Sequence, residues 1–195
     1  MKWYQVIECD KTVKNPMVCD VDNFDLLGFD SKTFQSGIGV ENWPESVFVQ
    51  PSTKKMDGNP DDALQTSQMI PVYSPRLVKA LKEGGIEGIQ YLPILVRDYQ
   101  GNYVDTFQIA NFLNFISAID LEQSVYSRYG KDWPKEKQGR ISGVRRYVLN
   151  GEKLINYDTI RLADFKWRFF VSQKFKDIFE GNKFTGYSFI EVELT

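Results

Sequence analysis

The chain reads as a succession of short apolar–polar alternations, interrupted twice by a helical period. Residues 3–8 (WYQVIE) alternate as a half-buried strand does, and residues 17–21, 47–50 and 69–73 carry shorter runs of the same kind. Ser74 followed by Pro75 then marks a helix start: a hydroxyl that accepts from free backbone N–H groups, and a ring where no N–H is needed. Leu77, Val78 and Leu81 share one face, Arg76, Lys79, Lys82 and Glu83 lie mostly on the other, and Gly84-Gly85 stops the helix, predicted over about 74–84. Residues 86–96 read as a strand, 98–102 as a hairpin turn with Gly101, and 103–109 as the antiparallel return. Ser172 opens a second helix, about 172–181, with Phe175, Ile178 and Phe179 on its apolar face; 184–194 is the last strand.

Other segments carry weaker patterns. Asp61 or Asp62 is placed to cap a short helix over 63–68. Residues 22–46 and 51–62 read as loops with short strands. Residues 110–120 (ANFLNFISAID) read as helical or irregular, and 121–139 as a polar surface loop with one helical turn. Residues 141–149 form a strand, Asn150-Gly151 turns it and 154–157 returns; 160–162 and 167–171 are short strands.

The two helices lie at one constant offset of 98 residues. Ser74 meets Ser172, Arg76 meets Lys174, Leu77 meets Phe175, Leu81 meets Phe179 and Gly88 meets Gly186. Each unit runs strand, capping serine, two-turn helix, glycine stop, strand. The expected fold is a single α+β domain over 1–195: a mostly antiparallel sheet, two short helices and an internal strand–helix–strand repeat.

The 195 residues hold no histidine, which removes Ser-His and Cys-His dyads, His-ligated zinc and every imidazole base. Cys9 and Cys19 lack a CxxC spacing and read as two buried thiols of a reducing compartment, with a disulfide as the alternative. No apolar run is long enough to span a membrane and the first residues have no signal-peptide pattern, so the expected location is cytoplasmic. The net charge of −2 argues against a duplex-binding protein, but it is unevenly spread: −5 over 1–62, −2 over 63–122 and +5 over 123–195.

Candidate chemistry is sparse. Neither G-x-S-x-G nor a phosphate loop is present. Asp120 and Glu122, two apart before Ser124, would share a face in a strand and form an acid–base pair; in a turn, Asp120 caps and Glu122 meets a base. Asp20, Asp22, Asp25 and Asp30 lack calcium-loop spacing and read as a solvated face or a docking site for a basic partner. Arg145, Arg146, Arg161, Lys166 and Arg168 alternate with Tyr147, Trp167 and Phe169; this reads as a half-buried sheet face with Trp167 and Phe169 inward, ahead of a nucleic-acid grip. No metal or cofactor is expected.

The segments 73–81 (YSPRLVKAL), 88–93 (GIQYLP), 118–124 (AIDLEQS), 141–144 (ISGV), 170–175 (FVSQKF) and 185–189 (TGYSF) resemble a bacterial family, formerly a domain of unknown function, now grouped with the immunity proteins of polymorphic toxin systems. The resemblance covers about residues 45–194 and is looser over 1–45. It implies a cytoplasmic protein, not an enzyme, that binds a cognate toxin domain and masks its active surface. It carries no catalytic residues; Ser74, Asp120, Glu122, Ser124 and Ser172 fall on the matching segments and read as structural. A carboxylate enzyme using Asp120 and Glu122, or a regulatory scaffold without a toxin, are the alternatives.

Overall fold

The turn at Asp98 and Gly101 sets up the longest pairing in the molecule. Asp98 accepts the Asn102 backbone N–H at 2.8 Å, and Gly101 takes the positive φ (87°) that the turn requires. In the computed structural model, which describes residues 1–8, 15–21 and 31–195, the flanking strands stay paired from Ile89↔Phe112 to Arg97↔Tyr103.

In chain order the elements are β1 (Trp3–Ile7), β2 (Val18–Val21), β3 (Phe48–Gln50), β4 (Ala63–Thr66), β5 (Val72–Tyr73), α1 (Pro75–Glu83), β6 (Ile89–Arg97) and β7 (Tyr103–Phe112). There follow β8 (Phe115–Ile116), β9 (Val125–Arg128), β10 (Ile141–Arg146), β11 (Val148–Leu149), β12 (Thr159–Leu162), β13 (Phe169–Ser172), α2 (Gln173–Gly181) and β14 (Ser188–Leu194). Strands β2-β3-β6-β7-β5-β4 close into a barrel, which parallel pairs β2–β4 and β3–β6 complete. A six-stranded sheet, β11-β14-β1-β13-β12-β8, forms a half-barrel beside it. Among the described residues, strands β9 and β10 pair only with each other.

This corrects the α+β expectation. The fold is mostly β, 38% strand and 16% helix, although its two short helices fall where the capping pattern puts them. Two segments read as helical are strands. Residues 63–66 form β4, because Asp62 turns its carboxylate to Ser74 and Arg76 instead of capping a helix after it. The strand after the hairpin runs on to Phe112, held by β6, and β8 follows. The return strand expected over 154–157 is absent: Asn150 caps a 3-10 turn over 151–154 and the chain turns again at 155–156 before β12. Part of the polar stretch 121–139 is strand β9.

Three apolar clusters hold the layers. Val49, Leu64, Val72, Ile94, Val96 and Ile109 fill the barrel. Trp3, Leu149, Leu154, Ile160, Leu162 and Phe170 fill the half-barrel. Between them Leu77, Leu81, Phe112, Phe169, Phe175 and Phe179 join both helices to both sheets. Strand β13 feeds two of these clusters: Phe169 and Val171 face the helices, and Phe170 faces the half-barrel.

The two helices begin alike. Ser74 Oγ accepts the Leu77 N–H and donates to Asp62 at 2.7 Å; Ser172 Oγ accepts the Phe175 N–H and donates to Asp158 at 2.6 Å. Arg76 grips the first aspartate bidentately, and Lys174 reaches the second at 3.3 Å. Contacts also run between the two units. Arg76 lies over the Phe184 ring at 4.7 Å, while Lys174 donates to the Gly85 carbonyl at 2.9 Å. The Thr185 carbonyl accepts the Ala63 N–H at 2.9 Å, while the Glu87 carbonyl, 98 residues earlier, accepts from Thr159 Oγ1 at 3.3 Å.

Candidate functional site

Two places concentrate chemistry. The first is buried. Alternation along β12 sends Ile160 and Leu162 into the half-barrel and Arg161 to the opposite face, where the barrel covers it. Arg161 is 1% exposed; its guanidinium lies 5.7 Å from the Phe112 ring centre and 5.5 Å from that of Phe169. One terminal nitrogen donates to the Lys166 carbonyl at 3.2 Å, and Nε has no hydrogen-bond partner among the described residues. Burial pulls its pKa down, and the nearby Glu8 carboxyl opposes that. Glu8 in turn is pushed up to about 7 by desolvation, partly offset by Arg161 and Arg168. Tyr187 donates to Tyr73 at 3.3 Å beside them, and burial raises both phenols. The cavity against Glu8, Arg168 and Trp167 measures about 10 Å³, room for about one water and no substrate.

The second place is an open groove of about 1030 Å³ between the β9–β10 hairpin and the turn after β12. Among the described residues its walls carry Lys32, Arg128, Lys137, Arg140 and Lys166, with one carboxylate, Asp164. Tyr129, Phe165 and Trp167 supply aromatic surface. The hairpin loop is built, not slack. Tyr129 exchanges backbone hydrogen bonds with Arg140 and Gly139, both at 3.0 Å, and packs edge-on against Trp133 at 4.8 Å. Lys137 lies 5.5 Å over the Trp133 ring, and Gln138 donates to the Lys131 and Trp133 carbonyls. Trp133 and Trp167 are nevertheless 50% and 54% exposed. Among the described residues none of Arg128, Lys137, Arg140 and Lys166 has an ion-pair partner.

The residues singled out from sequence fall elsewhere. Asp120 and Glu122 lie on a turn, not a strand: Asp120 Oδ1 accepts the Glu122 and Gln123 N–H groups at 2.9 and 3.0 Å, and Glu122 is exposed. Ser124 Oγ accepts from and donates to the Val148 backbone. Neither carboxylate lines the groove. Ser74 and Ser172 are the helix caps described above. Asp20 is half-buried and accepts from Ser67; Asp22, Asp25 and Asp30 lie outside the described residues, as does Cys9, while Cys19 is buried in the barrel.

The basic–aromatic set is split. Phe169 is inward, but Trp167 belongs to the turn before β13 and points out, and Arg161, expected at a surface, is the buried cation. Arg128, Tyr129, Trp133 and Lys137 lie inside the stretch 121–139 that reads as a polar loop, and Arg140 follows it directly. The available signal was its composition, five bases and two aromatics in RYGKDWPKEKQGR, since a long surface loop with an exposed tryptophan is a common carrier of binding function.

Comparison with known proteins adds two findings. The model of the Immunity protein family (Imm11) matches residues 4–194, nearly the whole chain and further towards the N-terminus than the resemblance over 45–194. No curated protein matches it.

Proposed function

Because this chain belongs to the Imm11 family of immunity proteins, we propose that it neutralises a cognate bacterial toxin domain by binding it stoichiometrically and covering its active surface, in the cytoplasm of the cell that makes it. The observation that carries this reading is the family match over residues 4–194. The structure supports it from two sides. The groove beside the hairpin offers exposed aromatics and uncompensated charge, the surface types that anchor protein partners. The buried Glu8–Arg161 cluster, the densest set of perturbed titratable groups, has no space for a substrate beside it. On this reading the protein acts without turnover and without a cofactor.

The test is co-expression with the toxin domain encoded beside its gene. Cells survive and the two proteins co-purify at a fixed ratio. Survival with no complex, or protection by substoichiometric amounts of this chain, would count against masking.

A further inference from the structure

The groove between the β9–β10 hairpin and the 163–167 turn differs from a small-molecule site in its openness and charge. Ligand pockets run to roughly 300–1,000 Å³ and enclose most of their ligand; this one reaches about 1030 Å³ and opens to solvent along the hairpin. Among the described residues its lining carries five basic side chains and one carboxylate, on a chain whose net charge is −2. Arg128, Lys137, Arg140 and Lys166 have no ion-pair partner among the described residues; such a concentration of like charge opposes folding, and an anionic occupant relieves it.

The occupant is a polypeptide by the following observations. Strands β9 and β10 form a two-stranded sheet, and each keeps an edge with no backbone partner among the described residues. Such edges accept an added strand, which a nucleic acid cannot supply. Both strands enter the groove wall at their loop ends, through Arg128 and Ile141. Leu121, Ile141 and Phe165 add apolar lining that a phosphate backbone would leave unused. The exposed Trp133 and Trp167 supply aromatic side chains of the kind that anchor protein interfaces.

The geometry points to this groove as the docking site for an extended acidic segment of the toxin, its carboxylates reaching Arg128, Arg140 and Lys166 while its backbone follows the hairpin. This rests on the immunity reading above and names the surface and the partner chemistry.

The experiment uses the full chain and the toxin domain encoded beside its gene. Hydrogen–deuterium exchange of the complex shows new protection over 128–140 and 163–167. Arg140→Glu and Lys166→Glu, both exposed, each weaken the complex about 10- to 100-fold at physiological salt, and a matching acid-to-base change in the toxin restores it. Lys54→Glu and Lys55→Glu, exposed on a turn outside the groove, leave affinity within about two-fold. Protection confined to other surfaces, or full affinity in both groove variants, overturns the docking site and leaves the immunity reading standing. A wild-type chain that forms no complex at all overturns the immunity reading itself. A labelled single-stranded RNA that binds the wild type at physiological salt and is lost in the groove variants, with toxin affinity unchanged, assigns the groove to nucleic acid and overturns the proposal.

Discussion

The Thr185 backbone N–H donates to the Asp62 carboxylate at 3.1 Å across 123 residues of chain, so the aspartate that receives the first helix cap also receives the end of the second unit. Asp62 is 7% exposed on its side chain and accepts from Ser74, Arg76 and Thr185 together.

Asp62→Ala is therefore expected to cost about 3 kcal/mol, because it strands buried donors in both units. The exposed end of Arg76 contributes little of that, being well solvated. Ser74→Ala and Ser172→Ala each cost about 1 kcal/mol through loss of the cap. Urea unfolding measures all three. An Asp62→Ala variant no worse than Ser74→Ala would show that the link between units carries no stability.

Gly84 and Gly186 mark close approaches. A Cβ on Gly84 would lie 2.3 Å from Ile178 Cδ1, where α1 meets α2, and the isoleucine end has some freedom to move. A Cβ on Gly186 would lie 2.1 Å from the Ala63 carbonyl, with φ at +105°, and backbone cannot yield as a side chain does. Gly84→Ala is expected to cost about 1–2 kcal/mol and Gly186→Ala more than about 3 kcal/mol. Thermal unfolding of the two variants should rank them in that order; the reverse order would contradict it.

Glu8 makes stability depend on pH. Its carboxyl holds its proton up to about pH 7 in the fold, because burial disfavours the charge, but ionises near its ordinary value of 4.5 when unfolded. The folded state thus binds more protons between these values, so this contribution is fully present below about pH 4.5 and is lost as pH rises through 7. Glu8→Gln should stabilise the protein by about 1–3 kcal/mol at pH 8 and by almost nothing at pH 4. A pH-independent difference would contradict the assignment.

Arg161 tests how a buried cation is tolerated. Arg161→Ala empties the space between Phe112 and Phe169 and is expected to cost about 3–4 kcal/mol. Arg161→Met keeps the volume and removes the desolvated charge, and should cost less than half of that. It also removes the neighbour that draws Glu8 down, so the Glu8 titration should move above pH 7. Equilibrium unfolding and carboxyl NMR titration check both parts.

The local signals in the chain were sufficient for both helices. Ser-Pro before an i, i+1, i+4 apolar face, and glycine after it, is physics contained within one or two turns, and Ser74 and Ser172 cap as that pattern requires. The Asp98–Gly101 hairpin was legible for the same reason. Family membership could also be seen in short segments of the sequence, and the match over 4–194 extends it. Barrel closure could not be read, because it depends on parallel pairs between strands far apart in the chain, such as β3 with β6, which no local pattern encodes. Burial of Arg161 was hidden too: a strand covered on both faces loses its alternation, and only the barrel strand carrying Phe112 decides that its second face is dry. The groove exists because the 163–167 turn and the β9–β10 hairpin, separate in sequence, come to face each other, and it is that approach which gathers ordinary surface bases into one charged cleft.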